Sequence, residues 1–440
     1  MANDTIIAPS TPPGIGGLSV LRLSGPIAFE SVSSVSKRPL EHFPSREATL
    51  SRIFDNSGAI IDTCIVTFFP EPASYTAEDV VEVSCHGNPI IVSSILSVFL
   101  EIGLRLAEPG EFTKRAFLNG KLDLVQAESV AQLISSKSVR ASELINRAFS
   151  GDLSSRLTSL RNDIISLLSA CEHGLDISEE DFNEDFNINS LLTINNISSN
   201  CKLFLEGFDE NRFYISGARV VISGKPNVGK STLFNALIGT ERAITSEHPG
   251  TTRDYIETEL TIKGVPVQLF DTAGLRDSRD AVEQEGVRRA LSVKKSCDLL
   301  LEVHDVVDNI ASTKHTIHII NKSDLHNTKH IKKVNDGFFY LSAKNGEGIG
   351  ALKTAIYTAL TGGASRNVDV SLITKRQADS LSRCYRHSLN AASFLKESSP
   401  EYELVSFELR EAIKQIDVIL GATCADDIIT KIFDDFCVGK

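Results

Sequence analysis

The residue types between positions 224 and 344 are those that bind a phosphate chain, a metal ion and a purine base. Residues 224–231 read G-K-P-N-V-G-K-S, which matches the phosphate-binding pattern G-x-x-x-x-G-K-[ST]. The backbone N–H groups of such a loop converge on phosphate oxygens at the positive end of the following helix. We therefore expect Lys230 to bridge the β- and γ-phosphates and the Ser231 hydroxyl to bind Mg²⁺.

Two further motifs follow the loop in the order that this chemistry requires. T-T-R at residues 251–253 provides Thr252 as a second direct ligand of Mg²⁺. D-T-A-G at residues 271–274 follows a short apolar run, so that Asp271 would reach the ion through a water molecule. The amide of Gly274 could donate to the γ-phosphate.

The motif N-K-S-D at residues 321–324 predicts which base is bound. A carboxylate accepts from two donors at once, and guanine presents N1–H and its N2 amino group side by side, whereas adenine does not. A site built around Asp324 therefore rejects ATP, because adenine would leave the buried carboxylate unpaired. S-A-K at residues 342–344 completes the set, and together these motifs predict a GTP-binding protein.

The catalytic residues are less evident than the binding residues. Leu275 occupies the position at which many small GTPases carry the glutamine that orients the attacking water. A bound monovalent cation could neutralise the developing charge instead, and the side chain of Asn227 is placed to hold one. Glu283, about a turn into the helix after Asp271, is a candidate to position water, although an acid on a helix is more often a solvated surface residue.

These residues must be positioned by an alternation of strands and helices. A strand at 218–223 leads into the phosphate loop and a helix at 231–238 leaves it, within a βαβ rhythm typical of a mostly parallel sheet. Residues 1–118 have the short apolar runs and Pro/Gly turns of an α/β domain. Leucines and isoleucines step by four and three through residues 153–167, which predicts a long helix of a bundle or, alternatively, a coiled-coil surface.

The sequence thus predicts a multi-domain protein that combines α/β domains with an all-α domain. The expected domains are an amino-terminal α/β domain at 1–118, a discontinuous helical domain at 119–215 and 365–440, and an inserted Ras-like P-loop GTPase domain at 216–364.

Composition narrows the class of protein. The 440 residues carry a net charge of −12, which opposes tight autonomous binding of nucleic acid and favours a local patch or a partner protein. The eight cysteines lack C-x-x-C spacing, so that reduced thiols in the cytoplasm are expected. No secretory signal is evident, and the most apolar run, at residues 90–100, is too short to span a bilayer; we expect no membrane partner.

Four blocks outside the GTPase motifs resemble the bacterial MnmE (TrmE) family of tRNA-modification GTPases. They are T-P-P-G-x-G-G with R-L-S-G at residues 11–25, S-Y-T-x-E-D with H-G at 74–87, P-G-E-F-T-x-R-A-F-L-N-G-K at 109–121, and C-x-G-K at 437–440. Asn88 stands where this family usually has a second glycine. The resemblance covers all three regions of the chain.

This resemblance implies a homodimer joined through the amino-terminal domains, each similar to a folate-binding domain. A formyl-tetrahydrofolate, such as 5-formyltetrahydrofolate, would bind at their interface, contacted by Arg22, Glu82 and Lys121. Lys440 would reach the folate from the helical domain and bring Cys437 close to it. Cys437 is then either a nucleophile or acid/base group, or a packed thiol.

The resemblance also implies a K⁺-stimulated GTPase whose two G domains meet face to face. Asn227 would ligate K⁺ together with Ser246, His248 and Thr251, and Glu283 falls where the family has its water-orienting glutamate. Ser246 and His248 depart from the commoner residues, but backbone carbonyl ligation survives such changes. The full expected set of GTP contacts is Asn227, Val228, Gly229, Lys230, Ser231, Thr232, Ser246, Glu247, His248, Pro249, Gly250, Thr251, Thr252, Asp271, Thr272, Ala273, Gly274, Asn321, Lys322, Asp324, Ser342, Ala343 and Lys344.

The implied function is modification of the wobble uridine of certain tRNAs at C5, giving an aminomethyl or carboxymethylaminomethyl group. A separate FAD-dependent partner, MnmG (GidA), and a folate one-carbon unit would take part, and GTP hydrolysis would drive G-domain dimerisation. The alternative is a GTP-dependent ribosome-assembly factor that binds ribosomal RNA. A stand-alone folate-dependent aminomethyltransferase with a regulatory G domain is a third possibility.

Overall fold

The computed structural model describes residues 4–177, 184–239, 257–271, 297–304, 315–325, 338–363, 371–397, 400–423, 426–434, 436 and 438–439. The chain divides into two compact units. The first comprises Met1–Ile134, Arg147–Lys202 and Thr374–Lys440, and the second comprises Ser135–Asn146 and Leu203–Ile373.

A six-stranded, mostly antiparallel sheet forms the base of the first unit. Its strands are β1 Ile6–Pro9, β2 Gly16–Ser24, β3 Thr49–Phe54, β4 Ile60–Phe69, β5 Val80–Gly87 and β6 Arg105–Leu106, in the order β3-β4-β5-β2-β1-β6. Every second residue of β4 from Asp62 to Phe68 is buried, which is the period of a half-buried strand. The short apolar runs of the amino-terminal region, at 19–23, 61–69 and 80–84, lie within β2, β4 and β5, as expected for an α/β domain.

Two helices, α1 Ala28–Ser36 and α2 Pro89–Glu101, pack on this sheet. Helix α2 begins at Pro89 because the side chain of Asn88 accepts a hydrogen bond from the amide of Ile90, which caps the helix. Asn88 is therefore the N-cap of α2. A core of aliphatic and aromatic side chains fills the space between the helices and the sheet, with Phe99 fully buried.

The remaining helices of the chain up to the second sheet follow in sequence. They are α3 Glu111–Leu118, α4 Leu124–Ser135, α5 Val139–Phe149, α6 Asp152–Ile177 and α7 Glu184–Ser216. Leu153, Leu157, Leu160, Ile164 and Leu167 of α6 are all buried, so this face packs within its own bundle and is not an exposed coiled-coil surface.

Three carboxy-terminal helices complete the first unit: α10 Lys375–Leu395, α11 Tyr402–Leu420 and α12 Asp426–Asp434. The buried carboxylate of Glu128 on α4 joins the two parts of the bundle, since it accepts hydrogen bonds from Arg376 (2.6 Å) and Gln377 (2.6 Å) on α10. A buried charge is stable only when it is paired in this way.

The second unit is built on a six-stranded sheet in the order β12-β11-β10-β7-β9-β8. The strands are β7 Ala218–Gly224, β8 Glu257–Ile262, β9 Val265–Asp271, β10 Leu299–His304, β11 Thr316–Ile320 and β12 Phe338–Tyr340. Among the strand pairs that the structure describes here, β8–β9 is antiparallel and the others are parallel. Helices α8 Lys230–Ile238 and α9 Ile349–Thr361 contribute Leu233, Leu237 and Ile356 to the core of this sheet.

This arrangement confirms the expected fold class of α/β regions combined with an all-α region, with a Ras-like sheet in the second unit. Among the residues that the structure describes, no helix combines the length and the apolar character needed to cross a bilayer.

Candidate functional site

The phosphate loop connects β7 to α8 at the carboxyl edge of the parallel sheet. Helix α8 begins at Lys230, directly after Gly229, whose φ is +95°. A Cβ atom at Gly229 would lie 2.3 Å from Nδ2 of Asn321, so only glycine fits there. The loop is thus packed closely against the N-K-x-D motif, although the two motifs are some ninety residues apart.

Two oxygen ligands for a hard cation meet beside this loop. The Ser231 hydroxyl on α8 donates a hydrogen bond to Oδ2 of Asp271 at the end of β9, at 3.0 Å. Asp271 is buried, and Lys230 next to Ser231 is also buried, with its ammonium donating to the carbonyl of Lys225 at 2.9 Å. Hydroxyl and carboxylate oxygens are the ligands that Mg²⁺ prefers, so these residues fit a magnesium ion with Asp271 acting directly or through water.

Asn321 connects the phosphate loop to the S-A-K segment at residues 342–344. It follows β11, is 2% exposed, and donates from Nδ2 to the carbonyl of Val228 at 2.9 Å. Its Oδ1 accepts from the amide of Ala343 at 3.0 Å. One buried amide side chain therefore fixes the phosphate loop and the S-A-K segment relative to each other.

The carboxylate expected to read the base is also held in place. The hydroxyl of Ser342, which is fully buried, donates to Oδ1 of Asp324 at 2.7 Å. Lys322 has a φ of +61° and donates from Nζ to the carbonyl of Asn227 at 2.7 Å. Asn227 itself has a φ of +64°, a conformation that asparagine tolerates better than most residues.

The structure thus brings together, at one sheet edge, the described members of the predicted GTP set. Thr232 and Lys344 are exposed there, on the first turn of α8 and after Ala343 respectively. The other predicted residues of this site lie outside the described residues: Ser246, Glu247, His248, Pro249, Gly250, Thr251, Thr252, Thr272, Ala273, Gly274 and Glu283. Cys437 and Lys440 also lie outside them.

A second polar cluster lies in the first unit, where Arg22 on β2 is the register partner of Glu82 on β5. The guanidinium Nη2 lies 2.8 Å from Glu82 Oε1, and Nε donates to the same oxygen at 3.1 Å. The remaining nitrogen, Nη1, is buried and has no hydrogen-bond partner among the described residues. A buried donor without a partner is costly, so a water molecule or a polar ligand that accepted from Nη1 would be stabilising here.

Aromatic side chains form the floor of this cluster. The guanidinium carbon of Arg22 lies 5.0 Å from the ring centroid of Tyr75 and 5.8 Å from that of Phe112. Burial raises the pKa of Tyr75, whose hydroxyl lies 2.9 Å from the hydroxyl of Thr113. Neither ring was predicted to belong to a site, although Tyr75 and Phe112 lie within the motif blocks at 74–87 and 109–121.

The carboxy-terminal segment approaches the same part of the sheet. The hydroxyl of Ser10 donates to the carbonyl of Gly439 at 3.0 Å, and a Cβ at Gly439 would lie 2.0 Å from the carbonyl of Pro9. Strand β1 pairs with β2, and Ala8 on β1 is the register partner of Arg22 on β2. Gly439 contacts Pro9, the residue next to Ala8, and therefore lies near the strand position of Arg22. Lys121 is exposed in the turn after α3 and does not contact the Arg22–Glu82 pair through any described hydrogen bond.

A parallel sheet whose strand ends carry a phosphate loop, a D-x-x-G aspartate and an N-K-x-D motif defines a P-loop GTP-binding protein. Two family matches cover nearly the whole chain: the family described as GTP-binding protein TrmE N-terminus at residues 5–121, and the family described as MnmE helical domain at residues 124–437.

Full-length relatives agree with these matches. A protein of Dichelobacter nodosus is 39% identical and one of Carboxydothermus hydrogenoformans is 37% identical, each over 100% of both chains, and both are named tRNA modification GTPase MnmE. The G domain of the T. maritima FeoB iron transporter is 26% identical over 32% of this chain and 98% of that one, with a TM-score of 0.23. The chain belongs to the family of the tRNA modification GTPase MnmE, and it is a GTPase.

Proposed function

We propose that this GTPase modifies the wobble uridine of certain tRNAs at C5, together with an FAD-dependent partner of the MnmG (GidA) type. The observation that carries the proposal is the buried Nη1 of Arg22, which has no hydrogen-bond partner among the described residues, in a chain whose GTP motifs are held together by hydrogen bonds of Asn321. A ligand that accepted from this donor would bind on the amino-terminal sheet, at a position that GTP binding and hydrolysis do not use.

GTP binds at the carboxyl edge of the second sheet in this proposal. The backbone amides from Asn227 to Thr232 hold the phosphates, and Lys230 bridges the β- and γ-phosphates. Ser231 and Thr252 would hold Mg²⁺, which would neutralise negative charge on the phosphates, and Asp271 would act through water. Asp324 pairs with the guanine base. The hydrogen bonds of Ser342 to Asp324 and of Asn321 to the loop support this arrangement, because they orient both groups in advance.

Hydrolysis needs a substitute for the glutamine that Leu275 replaces. We assign charge neutralisation to K⁺, held by Asn227 with Ser246, His248 and Thr251, and orientation of the attacking water to Glu283. The left-handed backbone of Asn227, supported by Lys322, favours a fixed position for its side chain. Two G domains that meet face to face would close the site and drive a large motion of the protein.

The folate site fits the residues around Arg22. A bound formyl-folate supplies a one-carbon unit. Nη1 of Arg22, which no described residue satisfies, can donate to a carboxylate or carbonyl of the folate, and Glu82 can accept from pterin N–H groups. Lys121 and Lys440 would neutralise further negative charge, and Cys437 would lie close to them. The position of Gly439 against Pro9 supports the approach of the C-x-G-K segment to this site.

The partners in this proposal are a second copy of the chain, joined through the amino-terminal domains, the FAD-dependent protein and tRNA. The acidic chain, with a net charge of −12, favours recognition of tRNA through a local patch or through the partner. We place the reaction in the cytoplasm.

Nucleoside analysis of tRNA from cells that lack this chain tests the proposal. Wobble uridines without the C5 aminomethyl or carboxymethylaminomethyl group are expected, with recovery on expression of the wild-type chain. Unchanged wobble uridines would refute the proposal. If they were accompanied by a shortage of one ribosomal subunit, the ribosome-assembly alternative would replace it.

A further inference from the structure

Three metal-ligating side chains meet on one face of the second sheet, on strands β10 and β11. Glu302 and His304 alternate with the buried residues Leu301 and Val303 along β10, so both point to the face opposite the α8 core. His318 on β11 is the register partner of Glu302 and therefore shares that face. Glu302, His304 and His318 take no part in the proposed binding or hydrolysis of GTP.

The distances between their ligand atoms suit a metal ion better than a hydrogen-bond network. His304 Nε2 lies 3.4 Å from His318 Nδ1, and Glu302 Oε2 lies 3.5 Å from the same nitrogen. Both are longer than a good hydrogen bond. A tetrahedral ion with metal–ligand bonds of about 2.05 Å separates its ligand atoms by about 3.3 Å. All three ligand atoms lie within 4.8 Å of one another, so small side-chain rotations close the set.

His318 has the surroundings of a preorganised ligand. Its side chain is 5% exposed, and its ring centroid lies 5.5 Å from that of Phe338 on β12. Its Nε2 is buried without a hydrogen-bond partner in the part of the chain that the structure describes. Burial of an imidazole with so little compensation is unfavourable. Glu302 and His304 both approach Nδ1 of this ring, so Nδ1 is the nitrogen placed to bind a cation.

We propose that Glu302, His304 and His318 bind a divalent transition-metal ion of the zinc class. Two imidazoles and one carboxylate select Zn²⁺, Co²⁺ or Ni²⁺ over Mg²⁺, which prefers oxygen ligands. The ion bridges β10 and β11 immediately before the base-reading motif, where the carbonyl of His304 accepts from the amide of Asn321 at 3.0 Å. Its binding therefore stabilises the sheet segment that supports Asn321.

Metal titration of the full-length protein tests this site. Zn²⁺ competing with a chromophoric chelator is expected to bind the wild-type chain, and His304→Gln is expected to lower the affinity at least tenfold, roughly the loss that removing even an outer-shell partner causes. The control is His173→Gln, which removes an exposed histidine of α6 and leaves the affinity unchanged. Unaltered GDP binding by His304→Gln establishes that this variant is folded. If His304→Gln does not fold, Glu302→Gln is tested instead.

Co²⁺ distinguishes this ligand set from a cysteine site. The wild-type chain is expected to give visible d–d bands without the near-ultraviolet sulfur-to-cobalt charge-transfer band, and His304→Gln is expected to abolish the d–d bands. The proposal is overturned if wild type and His304→Gln bind Zn²⁺ equally, if the wild type does not bind Zn²⁺, or if the cobalt spectrum is that of thiolate ligation.

Discussion

The two polar sites of this chain are built in opposite ways. At the GTP site, Asn321, Ser342 and Lys322 each hydrogen-bond to another motif of the same site, so its described groups hold one another in place. At the Arg22 site, the guanidinium has one ion pair, two aromatic rings beneath it, and a buried nitrogen that no described residue satisfies.

This difference indicates what each site does when its ligand binds. The GTP site is preorganised, and little has to move before a nucleotide can use its binding energy. The Arg22 site leaves one donor to be satisfied by the ligand, so that ligand binding also removes an internal cost. If this comparison is correct, variants of the first site should change nucleotide binding or hydrolysis alone, and variants of the second should change folate binding alone.

The largest effect is expected from Glu283→Ala. Loss of a residue that orients the attacking water should lower kcat for GTP about 10²–10⁴-fold, with little change in GTP affinity. Single-turnover hydrolysis and nucleotide titration would separate the two quantities. An equal fall in both would assign Glu283 a structural role.

Asp324→Asn is expected to have the next largest effect, on the base-reading part of the site. Loss of a buried charged partner costs roughly 2–5 kcal/mol, which is a decrease in GTP affinity of about 30-fold or more. Xanthosine triphosphate should bind the variant better than GTP does, because its 2-oxo group accepts from the new amide. Equal weakening for both nucleotides would mean that Asp324 does not contact the base.

Arg22→Met should weaken folate binding about 30-fold or more, since a charge-assisted pair is lost and Glu82 is left without its partner. GTP turnover should remain that of the wild type. Arg52→Met is the matched control, because Arg52 is an exposed arginine on β3 of the same sheet. Equilibrium titration with 5-formyltetrahydrofolate measures both variants. A loss of the same size in Arg52→Met would remove the specific role of Arg22.

Replacement of Asn227 should remove the difference in GTP turnover between KCl and NaCl, which we expect to be about tenfold or more because charge neutralisation at the phosphate is a large catalytic effect. Asn227→Ala strains a backbone with a φ of +64°, whereas Asn227→Gly removes the same side chain without that strain. Both variants should therefore lose the K⁺ effect. If only the alanine variant lost it, the backbone and not the side chain would be responsible.

Ser342→Ala should have the smallest effect in this series. It removes the hydroxyl that donates to Asp324, a charge-assisted hydrogen bond that contributes about 1.5 kcal/mol, or roughly tenfold in GTP affinity. In the Asp324→Asn background the same change should cost less, because the two residues act together. Additive losses in the double variant would show that Ser342 acts independently of the carboxylate.

Much of the GTP site could be predicted because its residues are contiguous and carry their own signature. The phosphate loop, Asp271 and the N-K-x-D motif each have a spacing set by local chemistry. The long helix α6 could also be predicted, since the apolar residues of a buried helix face repeat every three or four positions. The hydrogen bonds between motifs could not be predicted, because the contact of Asn321 with Val228 depends on how β7 and β11 are placed in the sheet.

The Arg22 site could be anticipated only through the resemblance to a family. Arg22 and Glu82 are sixty residues apart, and their contact depends on the register of β2 and β5, which no local pattern fixes. Tyr75 and Phe112 come from two further segments. The cluster of Glu302, His304 and His318 was missed for the same reason, since strand pairing brings the two histidines together.

In this proposal the GTP site and the Arg22 site are both required for the C5-modified wobble uridine. Wobble-uridine nucleosides are quantified in strains whose only copy of the gene carries Arg22→Met or Asp324→Asn, and the GTP turnover of each purified variant is determined. We predict that both strains lose the C5 modification, although only Asp324→Asn lowers GTP turnover at a GTP concentration that just saturates the wild type. Full modification in the Arg22→Met strain would contradict the claim.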